Sequence, residues 1–157
     1  MPSRAPKEGR TSKSTVKRAG AAPAAGYSGT PLSKKLGVKE SSRIFLAGAP
    51  KGFVQLLEPL PALVRFAGQA GPGVAIAVIF VTDMHELLGN LKNLRKLLDA
   101  HAALWVCWPK KSSGLATSVS ENVIRDTAFP LGFVDIKVCA INEIWSGLKL
   151  VVRKSLR

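Results

Sequence analysis

The sequence predicts an α/β protein built in three layers, with a mostly parallel sheet that ends in an antiparallel hairpin. Three observations carry this. Residues 74–81 are apolar and largely β-branched throughout, the pattern of a strand covered on both faces. A leucine-faced helix separates that run from a second apolar run at 103–108, which makes a β-α-β unit with its two strands parallel. Finally, residues 133–141 and 148–153 alternate polar and apolar with no helix between them, so they are expected to pair antiparallel.

The elements follow in order. Residues 1–26 are rich in Lys, Arg, Ser, Ala, Pro and Gly and carry no aromatic side chain. Such a segment cannot bury enough surface to offset its chain entropy, so a disordered basic tail is expected there and a single domain over 27–157. Residues 27–31 are turn-rich, and 32–36 read as a short helix stopped by Gly37. Residues 43–47 are the first strand, 48–52 a loop, and 53–57 a short helix ending near Pro59. Residues 62–66 give the faintest strand pattern, followed by a Gly/Pro loop at 69–73 and the strand at 74–81. Leu87, Leu88, Leu91, Leu94, Leu97 and Leu98 fall on one helical face, with Asp83 and Glu86 spaced as a capping box at the start. After the strand at 103–108, Ser118 and Glu121 form a second capping box that opens a helix through about Ala128. The last two strands are joined by residues 142–147.

This succession is Rossmann-like. A parallel sheet closed by a terminal antiparallel hairpin resembles the class I methyltransferase architecture, trimmed by about one β-α unit. That is a methyltransferase-like topology and not by itself an activity.

Composition narrows the function classes. The 157 residues are 46% hydrophobic, enough for one real core. The net charge is +13; residues 1–30 carry six basic side chains against Glu8, and the remainder 17 basic against 9 acidic. A basic body attracts polyanions, so nucleic acid held through the tail stands as one partner class beside small anions. The longest apolar run, eight residues at 74–81, is far short of the ~20 that span a bilayer, so no membrane partner is expected. Cys107 and Cys139 read as reduced thiols, and Cys107 as a buried apolar side chain. His85 and His101 are expected in solvent, and no Cys or His spacing suits a metal.

In open α/β sheets, ligands sit where strand carboxyl ends meet loops. Three such loops should share one edge here: 48–52, 82–83 and 110–117. The first lacks the G-x-G-x-x-G spacing, and Pro50 offers no N–H to a phosphate. The P-loop pattern is absent, and no acidic residue ends the second strand to take a ribose hydroxyl. The loop after Trp108-Pro109 holds two lysines and two serines and leads to a helix start, where backbone N–H groups favour anions. The candidate ligand-binding residues are Lys51, Gly52, Thr82, Asp83, Lys110, Lys111, Ser112, Ser113 and Thr117. The bland alternative is a pair of structural turns. Alternation also places Asp135, Lys137 and Cys139 on one strand face. Trp105 and Trp108, three apart, should face opposite sides, which leaves Trp145 in the last connection as the exposed aromatic platform.

Several strings carry a further resemblance: Tyr27-Ser28-Gly29-Thr30-Pro31-Leu32 with Lys34-Lys35-Leu36-Gly37, Ala49-Pro50-Lys51-Gly52-Phe53, and Trp108-Pro109-Lys110-Lys111 with Gly114. Glu121-Asn122-Val123-Ile124-Arg125 and Val134-Asp135-Ile136-Lys137-Val138-Cys139-Ala140 with Trp145-Ser146-Gly147-Leu148 continue it. Together, from about Tyr27 to Arg153, they resemble the small bacterial proteins of domain of unknown function 3052. The resemblance implies a bacterial, cytoplasmic, single-domain protein and names no catalytic residue. The expected function is a binding module for an anionic or nucleotide-like ligand in the carboxyl-end crevice. The alternatives are a divergent S-adenosylmethionine-dependent methyltransferase-like enzyme and a nucleic-acid-associated basic protein.

Overall fold

The structure is a computed structural model and describes residues 29–157, so the expectation for the 1–26 tail lies outside the described residues. Six strands form one sheet: β1 (Arg43–Ala47), β2 (Arg65–Ala67), β3 (Ile76–Phe80), β4 (Ala103–Pro109), β5 (Phe133–Ala140) and β6 (Trp145–Val152). Their spatial order is β2-β1-β3-β4-β6-β5. The first four pair in parallel, and β6 runs antiparallel to both β4 and β5. The helices are α1 (Leu32–Lys35), α2 (Phe53–Leu56), α3 (Met84–Leu97) and α4 (Glu121–Ala128). This is the three-layer, methyltransferase-like arrangement read from the sequence.

Each face of the sheet has its own core. On one, Leu87, Leu91 and Leu94 of α3 and Ile124 and Ala128 of α4 pack on Ala77, Ile79, Leu104, Val106, Leu148 and Leu150. On the other, Leu32 and Leu36 near α1 and Phe53 and Leu57 near α2 pack on Ile44, Val78, Trp105 and Cys107. Trp105 and Trp108 fall in different cores, as their spacing predicts. The predicted six-leucine face of α3 is narrower than expected. Leu97 lies roughly 80° off the Leu87-Leu91-Leu94 stripe at 100° per residue, and it is 42% exposed.

Three boundaries differ from the sequence reading. The expected strand at 62–66 forms only at Arg65–Ala67, because Leu63 sits at φ 62° and cannot continue extended backbone. β6 begins at Trp145 rather than 148, because the Asn142 side-chain oxygen accepts the N–H groups of Ile144 and Trp145, both at 2.8 Å, and closes a tight turn. Trp145 is therefore a half-buried strand residue and not a platform in the connection. It meets Phe80 edge-on at 5.1 Å, and Phe80 meets Phe53 edge-on at 4.9 Å.

The third difference is a register shift in β5 between Asp135 and Lys137. Asp135 stands opposite Leu150, while Lys137 stands opposite Lys149, the residue that points to the other face. The expectation that Asp135, Lys137 and Cys139 share one face is thus corrected. Ile136 is the extra residue, and it re-aims everything after it. Asp135 turns toward α4, where it accepts the Arg125 Nε–H at 2.9 Å, and Arg125 also pairs with Glu121. Lys137 instead faces Lys149, whose ammonium burial pushes below its ordinary value, helped by the charges of Lys137 and Lys39.

The Arg125 hydrogen bond holds the Asp135 carboxyl below its ordinary value of 3.8. A depressed carboxyl contributes stability that is fully present above its unfolded value and lost as pH falls through its lower folded one. Unfolding midpoints in urea should therefore fall below about pH 4. Asp135→Asn should remove that part of the slope, and an unchanged slope would discard the assignment.

Candidate functional site

Because β1, β3 and β4 are parallel, their carboxyl ends put three loops on one edge: 48–52, 81–83 and 110–120. The third is the most built. Lys111–Ser113 form a single 3-10 turn that ends at Gly114, and the chain then runs to the N-terminus of α4. A cleft of about 540 Å³ opens there. Trp108, Pro109, Lys111 and residues Thr117 to Asn122 line it.

Hydrogen bonds fix this edge. The Thr117 hydroxyl donates to the Thr82 carbonyl at 2.8 Å and accepts the Val119 N–H at 3.0 Å. Ser118 N–H donates to the same Thr82 carbonyl, and its hydroxyl oxygen accepts the Met84 N–H at 2.8 Å. Ser118 therefore caps α3 rather than α4, which corrects the second capping box. The N-cap of α4 is Ser120, whose oxygen accepts the Val123 N–H at 3.2 Å. At the start of α3, one oxygen of Asp83 accepts the N–H groups of His85 and Glu86, at 2.9 and 3.0 Å. The two helix starts are thus tied to one carbonyl, and the cleft has a rigid wall.

The nine sequence candidates separate accordingly. Lys111 and Thr117 line the cleft. Asp83, Thr117 and Ser113 have their oxygens engaged locally; Ser113 donates to the Lys110 carbonyl at 2.6 Å and accepts the Leu115 N–H at 3.1 Å. Lys110 joins the hairpin turn through its N–H to the Ile144 carbonyl at 2.7 Å. Thr82 serves through its carbonyl, and Ser112 is exposed. Lys51 and Gly52 lie exposed on the first loop, with Gly52 at φ 87° before α2, outside the cleft lining. Ser118, Ser120, Glu121 and Asn122 line the cleft and were not among the candidates; the capping spacing after Gly114 was the signal that could have found them.

The first loop is closely packed. A Cβ on Gly48 would stand 2.8 Å from the Phe80 carbonyl oxygen, and the Phe80 ring is itself held edge-on between buried Phe53 and Trp145. The end of β2 carries Arg65, Phe66 and Ala67 and then Gly68, with no carboxylate to take a ribose. These residues do not fit a nucleoside cofactor held over the first loop.

Burial pushes the Cys107 thiol well above its ordinary value and raises that of Cys139, and both are free. Among the described residues, no three His, Cys, Asp or Glu side chains gather to hold a metal, and no helix is long and apolar enough to cross a membrane.

No protein-family model matches the chain, and no curated protein matches its sequence. Solved structures do match its fold. It is similar to a SAM-dependent methyltransferase from Aquifex aeolicus, with TM-score 0.55 and 15% identity over 76% of this chain and 86% of that one. It is also similar to a ribosomal protein L11 methylase from Lactobacillus delbrueckii subsp. bulgaricus, with TM-score 0.51 and 10% identity over 78% and 75%. A third match, the mitomycin 7-O-methyltransferase MmcR, gives TM-score 0.51 and 8% identity over 78% of this chain and 53% of that one. At these identities the likeness is one of fold.

Proposed function

We propose that the chain is a binding module on a methyltransferase-like scaffold, taking a small anionic or nucleotide-like ligand at the carboxyl edge of its sheet. The observation that carries this reading is the cleft of about 540 Å³ lined both by Lys111 and by the first turn of α4. A helix start offers N–H groups that have no partner within the helix, and a lysine in the same cleft adds a full charge. Trp108 and Pro109 give the cleft an apolar side for a ring. Glu121 also lines it, but its carboxylate is paired with Arg125, which moderates its repulsion of an anion. The resemblance to the domain of unknown function 3052 proteins belongs to the same reading.

Thermal unfolding of the full chain against nucleotides, inorganic phosphate and S-adenosylhomocysteine tests it. A ligand at ~100 times its dissociation constant adds about 2.7 kcal/mol of stability. Lys111→Ala should weaken nucleotide binding roughly tenfold, the effect of losing one charge-assisted hydrogen bond. Lys110→Ala, off the cleft lining, should change it much less. Equal losses from the two replacements would move the site.

The second reading is a divergent methyltransferase-like enzyme, favoured by the fold likeness to SAM-dependent methyltransferases. The packing of the Gly48 loop stands against it. A shift with S-adenosylhomocysteine larger than with any nucleotide would reverse the order of the two readings.

A further inference from the structure

The opposite end of the sheet holds a second basic hollow. Arg43 opens β1 and Arg65 opens β2, and the two are register partners in a parallel pair, so their side chains leave the same face side by side. Like charges set directly opposite destabilise a sheet unless something answers them. Among the described residues neither arginine has a carboxylate at ion-pair distance. Asp99, which approaches this end, is held by the Gly73 N–H at 3.0 Å.

Both arginines line a hollow of about 560 Å³, together with Ser41, Leu63, Phe66 and Gly68. The connection from β2 to β3 contains no helix to cover this edge of the sheet. The loop instead closes on one guanidinium: a Cβ on Gly73 would stand 3.2 Å from Arg43 Nη1. Two non-glycine residues at positive φ flank it, Ser41 at 65° and Leu63 at 62°. Leu63 is 74% exposed, so burial of its side chain does not account for holding that conformation. Strained backbone of this kind gathers at ligand sites.

We propose that this hollow is a phosphate-binding site, distinct from the carboxyl-edge cleft, for a small phosphate monoester. Two guanidinium forks present paired N–H donors to the oxygens of one phosphate, and its two negative charges match theirs. Leu63, exposed at the rim, offers the ester group an apolar contact. The volume suits a mononucleotide-sized ligand.

Calorimetric titration of the full chain carrying Lys111→Ala, which weakens the other cleft, is compared with the same chain carrying the arginine replacements as well, so that only the difference is assigned to this hollow. Inorganic phosphate and a nucleoside monophosphate are the probes, with a short DNA duplex as the competing polyanion. The monophosphate should bind more tightly than phosphate. Arg43→Gln with Arg65→Gln should weaken both at least tenfold while the thermal midpoint stays close to that of the parent. Arg65→Lys should fall between, since the charge stays but the fork is lost. Phe66→Ala, on the opposite face of the sheet from the two arginines, should leave both affinities unchanged. Absence of binding, binding indifferent to the glutamines, or duplex binding without binding of either small probe would each overturn the proposal.

Discussion

Replacing Trp105 with alanine is expected to remove about 3–5 kcal/mol of stability, the cost of emptying a large buried aromatic site. Trp105 is fully buried on β4 and touches the core under α1 and α2. Its indole N–H donates to the Leu36 carbonyl at 3.0 Å, tying the N-terminal helix to the centre of the sheet. The ring also takes the space left by Gly147 on the neighbouring strand, where a Cβ would come within 3.2 Å of it. Since whole domains are stable by only about 5–15 kcal/mol, urea titration should show a large fall in midpoint. Trp105→Phe should cost less, roughly 1–3 kcal/mol, because most of the ring remains and the Leu36 carbonyl loses its partner. If alanine and phenylalanine cost the same, the hydrogen bond and not the packing dominates.

Gly48→Ala should cost about 2–3 kcal/mol, combining left-handed backbone strain with a clash. Gly48 sits at φ 69°, and the new Cβ would lie 2.8 Å from the backbone oxygen of Phe80, which cannot swing away as a side chain would. Gly52→Ala is the matched control. It has φ 87°, and an added Cβ would meet nothing within 4 Å, so only the strain of roughly 1–2 kcal/mol remains. Thermal unfolding separates them by several degrees at roughly 2–4 °C per kcal/mol. Equal midpoints would mean that the first loop is not packed against β3 in solution. The comparison bears on function too, since a loop free to move away from Phe80 would restore room for a cofactor.

The carboxyl-edge cleft was legible only in part. The three loops are each local signals, and parallel pairing carries them to one edge, so the neighbourhood could be read. Which side chains face the cleft could not. Thr117, Ser113 and Asp83 are the polar residues a sequence reading selects, yet their oxygens are engaged with Thr82, Lys110, Leu115, Val119 and the first turn of α3. The Ser118 spacing predicted a cap and was right about the chemistry, but the N–H that it accepts belongs to Met84, 34 residues away. A side chain's partner is decided by which backbone groups stand unsatisfied nearby, and that is a property of the packed edge.

The alternation of strand and helix, the buried character of β3 and β4, the Asp83 cap of α3 and the opposite facing of Trp105 and Trp108 are all readable in the chain alone. Each follows from a period or a spacing within one segment, where covalent geometry alone fixes direction. Other features arise only when the segments pack together. The extra residue at Ile136 turns Asp135 toward Arg125 and Lys137 toward Lys149, because a strand's side chains alternate and one inserted residue inverts every position after it. The left-handed turn at Leu63 shortens β2, and parallel pairing then sets Arg65 beside Arg43 across 22 residues of chain. Such juxtapositions arise from registers and distances between segments, and no local pattern encodes them.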